Sequence, residues 1–468
     1  MADLRTLRSF AGLAGGETVA RLLAFIATLV VARRLGPELY GVITVASGIL
    51  LYLTQVADGG IELSGVPVVA RRREDLTALV SATLTARIVL AVALSAITAV
   101  VGVTLAPQPD GAVLAAYALG LVFVGAGTRW VFLGLQATGW VAFARISGEL
   151  VALAVVVLAV QGPADLAVVP IATVLGAGVA ATAMFGGLTR LGVRPRVSRH
   201  WALGREMFER GPRLVGFTLL GLILFNADLI YLRLVSGERE AGLYAAAYTF
   251  IAFAANLSVA WAHSVLPAIA RSPAGSMERN AVYARALALS FWAAVPLAVG
   301  GAVVAAPLMT LVFGEAFGAS SGTLVVLLGA VPVAALREVI TAGLIASPGG
   351  ERQLIRINAV SAAMNVAVLV PVVPRFGALG AAAVTVLTEL VRLAMALRAA
   401  RRAGFTGLPW GRFLRPVAAA ALMGGGLQLL AGVHVVVQVS AGVLLYTVGL
   451  WVTGGLRFRS SPIPRLEI

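Results

Sequence analysis

Charged side chains that interrupt long apolar stretches are the residues of this sequence best suited to chemistry. Glu17 and Arg21 interrupt the apolar run 12–32, and since they are four residues apart they share one face of a helix. A run of this length covers about 30 Å, the thickness of a bilayer core, which places Arg21 about 15 Å deep. Because a charge in lipid is costly, we expect Arg21 to face a wet interior or to pair with Glu17.

Further arginines and acids lie within other apolar runs. Arginine suits phosphate because its planar guanidinium donates two parallel hydrogen bonds and stays charged. From charge and depth, we predict that an anionic headgroup is bound by Arg21, Arg129 and Arg337. The candidates for proton or sodium coupling are Glu17, Asp58, Glu149, Asp228 and Glu389.

These charged groups also have a purely structural interpretation. Glu389 and Arg392 are spaced to form an internal pair on one helix. Arg337 and Glu338 are adjacent, so we expect their side chains to point apart and to need separate partners. The arginines near predicted helix ends, which we expect to snorkel to the headgroups, are Arg87, Arg145 and Arg356.

The sequence lacks the arrangements typical of an enzyme, a metal centre or a cofactor site. It contains no cysteine, no nucleotide-binding P-loop and no GxSxG motif. Its three histidines, His200, His263 and His434, are far apart in the chain. We therefore predict a protein without catalytic residues, bound metal or cofactor.

The composition is that of an integral membrane protein. The chain is 60% hydrophobic and only 12% charged, against about 25% in soluble domains, and its mean hydropathy is +0.95. A net charge of +15 could indicate nucleic-acid binding. The arginines, however, lie mostly between apolar runs, so membrane orientation explains them better and we expect no nucleic-acid partner.

Fourteen apolar segments are long enough to span a bilayer. They cover residues 12–32, 41–62, 84–105, 112–133, 145–162, 166–188, 212–232, 242–264, 286–306, 322–344, 355–373, 377–397, 413–431 and 435–455. The first is too long and too charged for a signal peptide, so we expect it to stay attached. The N-terminal tail and the loops after even-numbered segments contain 25 arginines, whereas the loops after odd-numbered segments contain five. By the positive-inside rule, both termini are then cytoplasmic.

The two halves of the chain repeat one turn motif. RRLGPELYG at 33–41 is followed about 200 residues later by RLVSGE at 233–238 and GLYA at 242–245. Each half contains six segments, and this even number indicates a parallel repeat. The predicted fold is an all-α polytopic membrane protein of about fourteen transmembrane helices. Its domains are an N-terminal lobe (1–188), a cytoplasmic linker (189–211), a C-terminal lobe (212–400) and two additional helices with a cytoplasmic tail (401–468).

Two motifs carry a resemblance to a known family. RRLGPELYG at 33–41 and LQATGWVAFAR at 135–145 together resemble the polysaccharide exporters. These are the O-antigen and teichoic-acid type flippases of the multidrug/oligosaccharidyl-lipid/polysaccharide exporter (MOP) superfamily. The resemblance implies a V-shaped pair of lobes that alternates access across a bacterial inner membrane.

The resemblance also implies a cargo, an undecaprenyl-pyrophosphate-linked oligosaccharide moved from the inner to the outer leaflet. Basic residues in the cleft would bind its anionic headgroup, and Arg21 is by position the best match to that role. The internal repeat aligns Arg21 with Gly221, so the second lobe lacks this arginine. We therefore expect the headgroup to bind mainly to the first lobe. The implied partners are this lipid-linked anionic oligosaccharide, membrane lipids and, as further candidates, other polysaccharide-assembly proteins.

Other functions stay open at this point. The resemblance implies that lipid II flippases of the same superfamily carry more arginines on their first helices, so the sparser arginines here argue against lipid II as cargo. A drug or cation antiporter of the same fold would need acidic groups, rather than arginines, in its cleft. A membrane glycan polymerase or ligase would need a large extracytoplasmic loop, whereas the longest outer loop here has about ten residues. A non-transporting scaffold for glycan assembly is the remaining alternative.

Overall fold

The computed structural model describes residues 2–71, 74–198 and 205–454. For the helical residues 2–14, 205, 206, 210, 213, 217 and 225 it describes the backbone alone. The described residues form helices joined by short turns, with no β-strand among them, which confirms the predicted all-α class. They belong to two compact units, Met1–Asn226 and Ala227–Ile468.

The α-helices of the described residues follow one another with few intervening residues. Those that begin in the first unit are α1 (Ala2–Asp58), α2 (Ile61–Arg71), α3 (Leu76–Thr104), α4 (Asp110–Ala118), α5 (Gly120–Gly125), α6 (Arg129–Gly134), α7 (Thr138–Ala159), α8 (Val168–Arg190) and α9 (Arg205–Ser236). Those of the second unit are α10 (Glu238–Arg271), α11 (Met277–Val303), α12 (Ala305–Phe313), α13 (Ser321–Leu328), α14 (Ala330–Ile345), α15 (Gly350–Arg402), α16 (Trp410–Leu429) and α17 (Val435–Val452).

The repeated turn motif has the same backbone conformation in both halves of the chain. Gly36 breaks α1 with φ 76° and ψ 172°, and Gly237 precedes α10 with φ 91° and ψ 179°. Only glycine adopts this region without strain, because a Cβ atom would clash with the backbone. The turn predicted at 33–41 is therefore shorter in the structure, a single non-helical residue between two helical runs.

Long apolar helices contain most of the predicted membrane segments. Among the described residues, nine helices are long and apolar enough to span a bilayer, or eleven if each of two bent pairs is one span. Two of the nine, α1 and α15, contain an internal break, at Gly36 and at Gly377. The count of fourteen spans stays a prediction.

Close backbone packing joins α7 to α8 where two glycines cross. A Cβ atom added to Gly148 would lie 2.6 Å from the carbonyl oxygen of Gly176, and the reverse distance is also 2.6 Å. Small residues at such crossings let helices approach closely, which is how membrane helices gain packing energy. The crossing fixes α7, and with it the charged groups at the start of that helix.

Replacing Gly176 with valine is expected to destabilise the first unit, because the new side chain would overlap the backbone of α7. Overpacking of this kind costs about 1–3 kcal/mol, and a backbone obstacle is at the upper end of that range. Thermal unfolding of the purified protein in detergent measures the loss. The matched control is Gly186→Val, since no heavy atom lies within 4 Å of a Cβ atom at that position. Equal stability of the two variants would contradict the tight crossing.

Aromatic side chains fill the core of each unit. In the first unit, Trp130 and Phe132 are fully buried in a cluster that joins α2, α3, α6 and α8. In the second unit, the rings of Tyr283 and Phe405 lie 4.6 Å apart, and Phe291 stacks on Phe413 at 4.2 Å. The second contact fastens α16 to α11, so the C-terminal helices are packed parts of the second unit.

Candidate functional site

Arg21 lies on α1, with its guanidinium Nε 3.6 Å from Glu17 Oε1. The two side chains are 54% and 31% exposed, so the pair is not enclosed by the protein. The helix begins at Ala2 rather than at residue 12, and Arg21 lies 15 residues before the break at Gly36. At 1.5 Å per residue, Arg21 is about 22 Å along the helix from this break.

A second ion pair lies on α7 beside the first. Arg145 Nη2 is 3.2 Å from Glu149 Oε1, and the carboxylates of Glu149 and Glu17 are near enough to repel each other. The close approach of α1 and α7 has a local cause, because Gly16 packs directly on Ala142. The structure thus brings two arginines and two glutamates together on adjacent helices, a group that we call the α1–α7 cluster (Glu17, Arg21, Arg145 and Glu149).

A polar cavity of about 330 Å³, the first-unit cavity, begins at this cluster. Arg145 and Glu149 line it together with hydroxyl-bearing side chains. These hydroxyl groups belong to Thr28, Tyr40, Thr44, Ser47, Tyr117 and Thr173. Since several hydroxyls donate to carbonyl groups of their own helix, as Thr28 does to Ala24 at 2.9 Å, their oxygens remain as acceptors toward the cavity. The cavity therefore gives Glu149 several hydroxyl groups as neighbours inside the first unit.

The predicted binding residue Arg129 is paired but accessible. Its Nη1 atom lies 2.7 Å from Glu62 Oε1, and the side chains are 42% and 41% exposed. An exposed ion pair contributes little stability, about 0–1 kcal/mol, and opens readily. Arg129 therefore keeps the ability to bind an anion in exchange for Glu62.

Asp58 has a buried arginine as its partner. Arg87, whose side chain is 3% exposed, donates to Asp58 Oδ1 at 2.8 Å and to the carbonyl oxygens of Gly127 and Val124 at 2.6 and 2.9 Å. The prediction that Arg87 snorkels to headgroups is wrong, because its guanidinium is fixed inside the helix packing. This interaction ties the end of α1 to the non-helical residues between α5 and α6.

In the second unit, Arg337 is enclosed by carboxylates. Its Nη1 atom is 2.9 Å from Glu338 Oε1, and its Nε atom is 2.7 Å from Glu389 Oε2. The prediction that Arg337 and Glu338 point apart is wrong, since the long arginine side chain folds back to its neighbour. The predicted pair of Glu389 and Arg392 is confirmed at 2.5 Å, and Arg392 also donates to Asn358. We call these residues the Arg337 network (Arg337, Glu338, Glu389 and Arg392).

Asp228 has a different environment from the other predicted acids. It is 3% exposed and accepts hydrogen bonds from the Tyr244 hydroxyl, from the Leu229 backbone at 2.8 Å and from the Thr385 hydroxyl at 3.3 Å. Within the described part of the chain, no arginine forms an ion pair with it. A buried carboxylate held only by neutral donors is suited to exchange a proton or a small cation.

Sequence reasoning missed two of these arrangements. The partnership of Asp58 with Arg87 joins residues 29 positions apart on different helices, and no periodicity signals it. The meeting of Glu17 with Glu149 depends on the packing of α1 against α7, for which Gly16 was the available signal. No group of three or more metal-ligating side chains was found in the search of the described residues.

Several solved transporter structures share the fold of this chain. The chain is similar to the lipid II flippase MurJ in an inward closed conformation, with a TM-score of 0.76, 13% identity and coverage of 94% of this chain and 98% of that chain. It is also similar to an inward-facing multidrug resistance MATE family transporter, with a TM-score of 0.65, 13% identity and coverage of 82% and 94%. A MOP superfamily transporter from Pyrococcus furiosus Vc1 has a TM-score of 0.58, 14% identity and coverage of 85% and 95%. At such low sequence identity, the structural similarity shows a shared fold, that of the MOP superfamily.

No curated protein matches the chain by sequence. The match to a family model is more specific than the structural similarities, and it confirms the resemblance that the turn motif indicated. That model, described as polysaccharide biosynthesis protein, matches residues 6–272. Because these residues are more than half of the 468, the chain belongs to the polysaccharide biosynthesis protein family.

Proposed function

We propose that this protein is a flippase for an undecaprenyl-pyrophosphate-linked oligosaccharide, an intermediate of a surface polysaccharide. It would move this lipid from the inner to the outer leaflet of a bacterial inner membrane by alternating access. The observation that carries the proposal is the guanidinium of Arg21, a cation that is 54% exposed on a helix apolar enough to span a membrane. A cation in that position suits a pyrophosphate, with which it forms charge-assisted hydrogen bonds.

The pairing of the acidic groups argues for an anionic cargo rather than a cationic one. Four of the five predicted coupling acids, Glu17, Asp58, Glu149 and Glu389, are in ion pairs with arginine. A cation antiporter would need carboxylates available to its cargo, so the antiporter is the less favoured alternative. The anionic headgroup would bind mainly to the first unit. Arg21 and Arg129 of that unit are accessible, whereas Arg337 of the second unit is enclosed.

An apolar cavity in the second unit suits the hydrocarbon part of such a cargo. The cavity measures about 540 Å³, and α10, α11, α16 and α17 contribute most of its lining. Except for Tyr446 and Thr447 its lining is apolar. Ligand sites of about 300–1,000 Å³ accommodate molecules of drug size, which is enough for several isoprene units.

The proposed function is tested by flipping in proteoliposomes. A short-chain fluorescent oligosaccharide linked to polyprenyl pyrophosphate is placed in both leaflets, and an enzyme outside the vesicle reports how much becomes accessible. The protein is expected to expose the inner-leaflet fraction, while a cationic dye is not transported. Transport of the dye without flipping of the lipid would assign the chain to the antiporters instead.

Ion coupling is proposed at Asp228, because it is the buried acid with neutral hydrogen-bond partners. Protonation or Na⁺ binding would remove its charge, and that change would bias the helices α9, α10 and α15 that carry its partners. Glu149, which lines the first-unit cavity, is the second candidate for the same role.

Asp228→Asn is expected to abolish the response of flipping to an imposed ion gradient. Asparagine has the shape of aspartate and still accepts hydrogen bonds, so the protein should fold, but it cannot take up a proton or balance a cation. We expect the gradient-driven rate to fall by at least about tenfold, equivalent to 1.4 kcal/mol. The measurement compares flipping with and without a pH or Na⁺ gradient. The control, Glu315→Gln, removes an acid that lies outside this group. A gradient response like that of the unmodified protein would exclude Asp228.

The orientation of the protein follows from its arginines and belongs to the same proposal. Helix ends that carry arginines in their last turn, such as those of α2, α8 and α10, would lie at the cytoplasmic surface together with both termini. The cargo would then be captured from the inner leaflet, where it is assembled. Enzymes that build the glycan on its carrier are the expected neighbours.

A further inference from the structure

An open apolar groove on the first unit, distinct from the first-unit cavity, lies between α7, α8 and α5. It has a volume of about 610 Å³ and is lined by Phe123, Phe143, Ser147, Val174, Leu175, Gly178, Val179, Thr182 and Ala183. Apart from two hydroxyl groups this lining is apolar, and Phe143 is 57% exposed beside it. The groove has the apolar character required by a hydrocarbon chain.

The groove continues along α8 toward a cation. Val179, Ala183 and Arg190 share one face of this helix. They are separated by four and seven residues, which is close to one and two full helical turns. Gly186 lies between them, and no heavy atom is within 4 Å of a Cβ atom placed there. At 1.5 Å per residue, Arg190 is about 10 Å beyond Ala183, so a chain in the groove would end at its guanidinium.

An aromatic ring fixes Arg190 at the end of the groove. The guanidinium carbon lies 5.3 Å from the ring centroid of Trp140, and this ring packs edge-to-face with Phe143 at 6.0 Å. Trp140 also packs on the backbone of Gly187, which holds the ring in place. Tryptophan and arginine together are typical of the level of lipid headgroups, where one side is apolar and the other is wet.

The charge around this end of the groove is positive. α8 contains no acidic residue, and the one acid of α7, Glu149, is paired with Arg145. Two more arginines, Arg194 and Arg196, are exposed in the segment that follows α8. That segment is itself anchored, because the backbone amide of Arg196 donates to Ser81 Oγ at 3.0 Å. An apolar groove that ends near exposed arginines matches a ligand with a hydrocarbon chain and a negative headgroup.

We propose that this groove is a binding site for an anionic phospholipid. One acyl chain lies between Phe143 and Val179, and the phosphate accepts hydrogen bonds from Arg190. The site belongs to the first unit alone and does not involve Arg21, so it is independent of the cargo. A lipid bound there would brace the α7–α8 pair, and through α7 it would support the α1–α7 cluster.

Native mass spectrometry of the full chain in detergent tests the site with two probes, phosphatidylglycerol and phosphatidylcholine. We expect phosphatidylglycerol to bind about fivefold more tightly, the effect of one arginine at a headgroup. Arg190→Gln is expected to remove the preference, whereas the control Arg271→Gln, which changes the last-turn arginine of α10, keeps it. Ser147→Phe fills the groove and is expected to weaken both lipids, unlike Leu158→Phe on the exposed face of α7.

Equal binding of the two lipids to the unmodified protein would overturn the proposal, as would an unchanged preference in Arg190→Gln. Photocrosslinking provides a measurement that does not depend on a variant's folding. A phosphatidylglycerol with a diazirine in its acyl chain should label peptides from α7 and α8 of the unmodified protein, and labelling elsewhere alone would refute the site. Displacement of the phospholipid by a polyprenyl phosphate at equal concentration would assign the groove to the cargo and also overturn the proposal.

Discussion

Replacing Arg21 with alanine is expected to reduce flipping of the lipid-linked oligosaccharide by about 10- to 100-fold, the effect of losing a charge-assisted hydrogen bond to the pyrophosphate. Arg21→Glu is expected to reduce it further, because the new carboxylate would repel the same group. The side chain is 54% exposed and its pair with Glu17 is long, so both variants should fold. The measurement is the initial rate in proteoliposomes, with surface polysaccharide in cells as a second readout.

A double substitution separates binding from neutralisation of Glu17. If Arg21 only balanced this carboxylate, then Glu17→Gln combined with Arg21→Gln would restore flipping, since neither charge would remain. Because we assign Arg21 to the cargo, we expect the double variant to be as slow as Arg21→Gln alone. The matched control is Arg375→Ala, an exposed arginine that donates to a carbonyl of its own helix. Recovery in the double variant would show that the arginine is structural.

The helical architecture could be predicted from the sequence because hydrocarbon leaves few alternatives. Every backbone polar group within a bilayer must be paired internally, so apolar runs near twenty residues become helices. The glycine of the turn at 33–41 was recognisable by its neighbours, and its positive φ confirms why glycine is needed there. Helix lengths were less predictable, since α1 extends to Ala2 and includes residues that the hydropathy pattern assigned to a tail.

The partners of the charged groups could be predicted only within one helix. Glu17 with Arg21, and Glu389 with Arg392, follow from spacings of four and three residues. The contact of Arg87 with Asp58 depends instead on how α3 packs beside the end of α1, which no local pattern encodes. Arg337 was mispredicted for a related reason, because adjacent residues point apart at Cβ but a long guanidinium can still reach back to its neighbour.

The Arg337 network leads to the largest expected loss of stability. Glu389 contacts both Arg337 and Arg392, and the side chains of these three residues are at most 14% exposed. Glu389→Gln would leave two buried arginines with only Glu338 to balance them. Removing one partner of a buried ion pair costs about 3–5 kcal/mol, because an uncompensated charge remains in a low-dielectric interior. We expect little folded protein, measured by size-exclusion chromatography and by thermal unfolding in detergent.

The same electrostatic argument predicts a rescue. Glu389→Gln combined with Arg392→Met removes one charge of each sign, so that Arg337 and Glu338 remain as a neutral pair. Since replacing a buried pair by uncharged groups is often neutral for stability, the double variant should recover most of the loss. The control Arg375→Gln, on the same helix but exposed, should leave stability unchanged. A double variant as unstable as Glu389→Gln would mean that the network stabilises the fold through its hydrogen-bond geometry rather than its charge balance. In that case Arg337→Lys should lose a similar amount of stability. An ammonium group cannot reproduce the planar contacts that the guanidinium makes with both carboxylates.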